Sequence, residues 1–154
     1  MLAVLTVAAT TATAGCAPAV SVRVAPNAAD PVCAAVVLAL PAALADSPLL
    51  DTTSQATAAW GEPSSPIVLR CGVDPLPPTT DTCVTATDAD GTSVDWVAVE
   101  DAADSGDGWT FTTYGRDPAV EVTVPPELTT ERSTSFLVDL APALSKTTLL
   151  RTCV

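Results

Sequence analysis

Five cysteines, Cys16, Cys33, Cys71, Cys83 and Cys153, carry the most specific chemistry in the sequence. An odd count in an exported chain signals a free thiol, an intermolecular bond or a modified cysteine. Cys16 closes the run "TAGC", in which small residues would admit a peptidase to the bond before cysteine. The Cys16 thiol would then carry a diacylglyceryl group and Cys16 would become the mature N-terminus. Lipidation of Cys16 leaves four cysteines, enough for two disulfides, which an oxidising exterior permits. Three pairings are possible. The Pro- and Asp-rich stretch "GVDPLPPTTDT" reads as a turn between two strands, which favours Cys71–Cys83 across a hairpin and Cys33–Cys153 between the first helix and the far end of the chain. With no histidine and no CxxC pair, no metal site and no redox motif is expected.

The absence of histidine also removes Ser–His–Asp and Cys–His catalysis. Any enzyme here would rely on carboxylates, Tyr114, Lys146 or a metal, and no cofactor is expected. Arg70, Asp95 and Arg116 are the weak binding candidates, since each sits in or beside a strand. Arg70 and Asp95 could form a cross-strand ion pair, or hold a carboxylate or a cell-wall fragment. Trp96, Trp109 and Tyr114 could stack on sugars, although aromatic residues in strands more often fill cores. "DADG" (88–91) and the carboxylates Glu100, Asp101, Asp104 and Asp107 offer hard oxygens for calcium. No acid stands at the twelfth position of an EF-hand loop, so "DADG" reads as a hairpin turn and the acidic run as a solvated loop.

The bulk composition narrows the partners. The chain has 154 residues, 18 acidic and 6 basic, for a net charge of −12. The basic residues are scattered, so nucleic acid is not an expected partner. Residues 2–14, "LAVLTVAATTATA", are uncharged but too few to span a bilayer, which takes about 20 residues. They match the apolar region of a secretion signal. Residues 1–15 are therefore expected to be a lipoprotein-type signal peptide. Thr13 stands where such motifs usually have leucine, and an ordinary secreted protein cut near "ATA" or "CAP" is the alternative. The expected location is the outer face of the cytoplasmic membrane. The partners are the membrane, through the lipid, and envelope proteins or wall components.

The positioning elements follow from pattern. Residues 16–29 read as a lipid-anchored tether or a short leading strand, and residues 30–154 as a single domain. Asp30 and Pro31 suit the start of a helix, and "VCAAVVLAL" has almost no polar face, which predicts a well-buried helix. Pro41 should end it, and "AALADSPLL" could add a turn. Residues 51–66 read as a loop with Trp60 as an anchor. Strands are predicted at 67–73, 82–87, 93–99, 109–115 and 119–124, and a helix from about Thr130 to Leu144 with Pro142 bending its end. The expected fold class is α+β: an antiparallel sheet of about five strands, with an N-terminal and a C-terminal helix packed on one face.

"WGEPSSPIVLRCGV", "CV" twelve residues after Cys71, "VDWV", "FTTYGRDPAVEVTVP" and the final "CV" together resemble the domain of unknown function 3515 family of actinobacterial lipoproteins. The resemblance covers nearly the whole mature chain. It implies a Gram-positive envelope setting and a single domain, and it brings no activity, cofactor or catalytic residue with it. Function is therefore expected to be that of a lipid-anchored extracytoplasmic binding or scaffolding domain without catalysis. The alternative is a histidine-free, carboxylate-dependent hydrolase of the envelope.

Overall fold

The computed structural model describes residues 19–100, 108–131 and 134–153. The expected signal peptide, Cys16 and the carboxylates Asp101, Asp104 and Asp107 lie outside them.

The helix α1 spans Pro31–Leu38. Asp30 caps it, its carboxylate accepting from the Val32 amide at 2.8 Å, and Pro31 occupies the first turn, where no amide donor is needed. Its sequence is apolar all round, yet only Cys33 and Val36 are fully buried, and Leu38 is 88% exposed. The expectation of a well-buried helix is thus corrected: the helix lies on the sheet by one stripe.

Ten strands follow among the described residues: β1 (Ala43–Leu44), β2 (Ser47–Leu50), β3 (Thr57–Glu62), β4 (Ser65–Val73), β5 (Cys83–Thr87), β6 (Ser93–Glu100), β7 (Trp109–Thr113), β8 (Arg116–Asp117), β9 (Ala119–Val124) and β10 (Thr148–Leu149). Eight of them form an antiparallel sheet in the order β1-β2-β3-β4-β9-β7-β6-β5, while β8 pairs with β10. Between β9 and β10 come α2 (Pro126–Glu131), a 3-10 segment (Thr134–Leu140) and α3 (Ala141–Leu144).

Side chains alternate across each strand. On the core face Trp60, Ile67, Leu69, Val122, Phe111 and Trp96 join Cys33 and Val36 of α1, Leu137 and Leu140 of the 3-10 segment, and Leu144 of α3. The opposite face carries Ala59, Val68, Arg70, Glu121, Thr123, Thr112, Asp95 and Val97, by register with their partners. Residues 20–28, within the expected tether, lie along this face. Val20 and Val22 pack on Ala59, and the Val20 amide donates to the Asp51 carbonyl at 2.8 Å. Farther on, Ala25 and Ala28 pack on Val73 and Ala119, and the Asn27 amide reaches the Gly72 carbonyl at 2.8 Å.

The α+β class stands, but the sheet has eight strands rather than about five. The additional ones are β1, β2 and β3. The first two form a hairpin where an extra helical turn was expected, through Ala45 and Asp46 at φ 51° and 60°, the conformation of a two-residue type I′ turn. Segment 51–66 looked loop-like because of its small and polar residues. Its second half is β3, joined to β4 by Pro63 and Ser64, with Glu62 opposite Ser65. Burial of Ala58, Ala59 and Trp60 overrides weak local strand preference. The predicted 130–144 helix is also broken into α2, the 3-10 segment and α3, and Pro142 sits in the first turn of α3 rather than bending a helix end.

The disulfides correct the expected pairing. Cys33 bonds Cys71 with Cα atoms 5.5 Å apart, and Cys83 bonds Cys153 at 6.5 Å. Strands β4 and β5 are not a hairpin, because β9, β7 and β6 stand between them. Four strand spacings place their axes about 19 Å apart, far beyond the roughly 7 Å that a disulfide tolerates. Cys71 also faces the core, whereas Cys83 stands opposite Val97 on the other face.

Gly72 is where the N-terminal strap closes on the sheet. Its φ is +89°, and a Cβ there would stand 2.5 Å from the Asn27 carbonyl. Gly72→Ala is expected to cost about 2 kcal/mol, from the left-handed backbone and the displaced strap. Chemical denaturation should show it; an unchanged midpoint would mean that the strap yields freely.

Candidate functional site

Two neighbouring positions of the antiparallel pair β4–β9 place Arg70 directly opposite Glu121. The Arg70 guanidinium donates through Nη2 at 2.7 Å and Nε at 2.9 Å to Glu121 Oε1. Arg70 therefore pairs with Glu121 and not with Asp95, which stands on β6, with β9 and β7 between. Both side chains are about one-fifth exposed, so the pair is worth only about 1 kcal/mol at most. A shallow groove of about 280 Å³ opens beside it, lined also by Ser21, Val22, Arg23, Val68 and Thr123. Arg23 is exposed on the strap and has no carboxylate partner among the described residues.

Asp95 serves the other end of the same face. Its Oδ1 accepts from Thr85 Oγ1 at 2.7 Å, and its Oδ2 from the Cys153 amide at 2.9 Å. Both oxygens are thus committed, Oδ1 to β5 through Thr85 and Oδ2 to holding the chain segment around Cys153 against β6. Cys83, Asp95 and Cys153 offer ligand atoms within 4.8 Å of one another, but both sulfurs are joined in the disulfide, and disulfide sulfurs are not the thiolates that bind metals. A cavity of about 270 Å³ borders this disulfide, with Tyr114, Val97, Thr79 and Asp81 in its wall. Arg151 lies 5.8 Å from the Tyr114 ring centre, within cation–π range.

Arg116 is 6% exposed. Its Nη1 donates to the Leu144 carbonyl at 3.1 Å and to Thr147 Oγ1 at 3.3 Å, and its Nη2 to the Ser93 carbonyl at 3.0 Å. Burial lowers its pKa, and the Asp95 charge partly offsets this. The side chain ties the end of α3 to the start of β6, and no solvent-facing ligand can reach it.

The remaining sequence candidates separate as follows. Trp96 is fully buried, which removes it as a sugar platform, and Trp109 is half-buried and stacks on Phe111 at 6.2 Å. Asp88 Oδ1 accepts from the amides of Asp90 at 3.0 Å and Thr92 at 2.8 Å, so "DADG" is the β5–β6 turn, with Gly91 at φ +84°. A cavity of about 620 Å³, wide open, lies between the β1–β2 hairpin and the 3-10 segment, with Asp46 and Asp139 on its wall beside Ser135 and Phe136. No motif announces it, because the two acids come from distant segments of the chain.

A family model described as "Protein of unknown function (DUF3515)" matches residues 1–151. No curated protein matches the chain. No solved structure matches it either.

Proposed function

The chain belongs to the DUF3515 family of proteins of unknown function, and from that premise we propose a lipid-anchored extracytoplasmic domain that binds or scaffolds without catalysis. One observation carries the reading. Cys33, Cys71, Cys83 and Cys153 are all consumed by two disulfides, so Cys16 has no cysteine partner left within the chain. That is the cysteine that "TAGC" presents for acylation. The two disulfides also suit an oxidising compartment. The domain then sits on the outer face of the cytoplasmic membrane, where its partners are envelope proteins or wall components.

Two acyl chains give stable anchoring, at about 0.8 kcal/mol per buried CH₂. The mature chain should therefore carry diacylglycerol on Cys16 by intact mass, and Cys16→Ser should move the protein from the membrane fraction to the medium. An unmodified mature protein starting at another residue would sink the anchor and leave the secreted form. Crosslinking in living cells would then name the partner. The wide cavity with Asp46 and Asp139 on its wall favours the carboxylate-dependent hydrolase instead. For that reading, Asp46→Asn or Asp139→Asn should abolish an envelope-polymer hydrolysis that the wild type performs.

A further inference from the structure

We infer that the Arg23–Arg70 groove is the membrane-facing surface of the domain and takes the phosphate of a lipid headgroup from the outer leaflet. The inference rests on acylation of Cys16. Hydrogen bonds fix the chain at Val20, to the Asp51 carbonyl at 2.8 Å and from the Thr53 amide at 3.0 Å. From Cys16 to Val20 is four residues, which reach at most about 14 Å when fully extended. A folded domain of this length has a radius of gyration of about 14 Å. The lipid anchor therefore cannot hold the domain clear of the bilayer, and the surface around the strap is drawn to it.

That surface has the chemistry for a phosphate. Arg23 lies seven residues from Cys16, exposed and without a carboxylate partner among the described residues. Arg70 uses Nε and Nη2 on Glu121, which leaves Nη1 as an uncommitted donor beside the groove. Ser21 adds a hydroxyl from the strap. Two guanidinium groups suit a phosphate better than two ammonium groups, because their planar donors match its oxygens.

The rest of the charge acts in the same direction. The chain carries −12 in all, and an anionic leaflet repels most of its surface. The acidic turn with Asp88 and Asp90 joins β5 and β6, at the sheet edge opposite the strap. A tether of at most about 14 Å keeps the strap within two Debye lengths of about 8 Å at physiological salt, so the face nearest the leaflet feels a screened part of its field and the cation-bearing side turns inward.

The test uses the diacylated full chain in vesicles of phosphatidylglycerol and phosphatidylcholine doped with a headgroup spin label. Amides of Ser21–Val24, Arg70 and Thr123 should broaden severalfold more than those of Asp88–Gly91. Arg23→Glu should remove the difference while both disulfides remain, and salt of about 1 M, with a Debye length of about 3 Å, should reduce it. Uniform broadening of an anchored protein, or strongest broadening at Asp88–Gly91, overturns the docking and leaves the anchor standing. A protein that lacks diacylglycerol by intact mass and does not float with vesicles overturns both.

Discussion

Replacing Cys33 and Cys71 together by alanine is expected to lower the unfolding free energy by about 4 kcal/mol. The bond closes a loop of 38 residues, and chain entropy alone assigns about 4 kcal/mol to a loop of that size. The location adds to this. Both cysteines are fully buried, beside Val36 and Leu69 in the main core. Loss of the bond leaves α1 held by one apolar stripe, since Leu38, Ala34 and Ala35 face solvent. Eight residues of helix are too short to persist alone. A domain of this size has about 5–15 kcal/mol in hand, so the double variant should remain folded in the cold but melt well below the wild type. Guanidinium titration with circular dichroism measures the loss. A change below 1 kcal/mol would show that packing, and not the bond, holds α1 to the sheet.

Arg116→Met is the second large effect, expected at about 3 kcal/mol. Methionine approximates the side-chain volume but has no donors. The substitution leaves the Leu144 carbonyl, Thr147 Oγ1 and the Ser93 carbonyl without this partner, and a buried acceptor so abandoned costs about 1–3 kcal/mol. Thr147 Oγ1 also bonds the Leu144 carbonyl at 2.7 Å, which limits the damage at that point. Arg116→Lys should recover only part of the loss, because one ammonium cannot reach three acceptors along a planar fork. Amide exchange should show where the effect falls: protection should drop at Leu150 and Arg151, whose amides bond the Gly115 carbonyl. A methionine variant as stable as the wild type would mean that removing a desolvated charge offsets the lost bonds, as happens for some buried ions.

Part of this fold is legible in the residues. Asp30 and Pro31 mark the start of α1 because capping is a local event. The alternation of Val120, Val122 and Val124 marks β9, because one face of that strand is buried. "DADG" marks a turn, because the Asp88 carboxylate satisfies amides two and four residues on. Local pattern and structure part company where distant segments decide. β3 is a strand because Trp60 lies opposite Ile67, a fact that its own alanines and glycine do not announce. The cysteine pairing depended on which strand stands next to β4, and that neighbour is β9, from much later in the chain. Arg70 illustrates the same point at the site. Its type and strand position suggested a cross-strand acid, and there is one, but strand order selects Glu121 over Asp95. The groove beside it needed the strap, whose alternating valines gave only a faint strand signal.

The position of β9 has a consequence for how the sheet can assemble. β1 to β4 form one meander of sequence neighbours, and β5 to β7 form another. Neither half touches the other through a hydrogen-bonded strand except by way of β9, which sits between β4 and β7. A chain emerging from its N-terminal side can therefore build two separate half-sheets, each with a bare edge, before the strand that unites them exists. Closure of the sheet is non-local and late, which slows folding and exposes those edges meanwhile. β9 is the keystone, and a break in its valine alternation would undo the join between the halves rather than one local element.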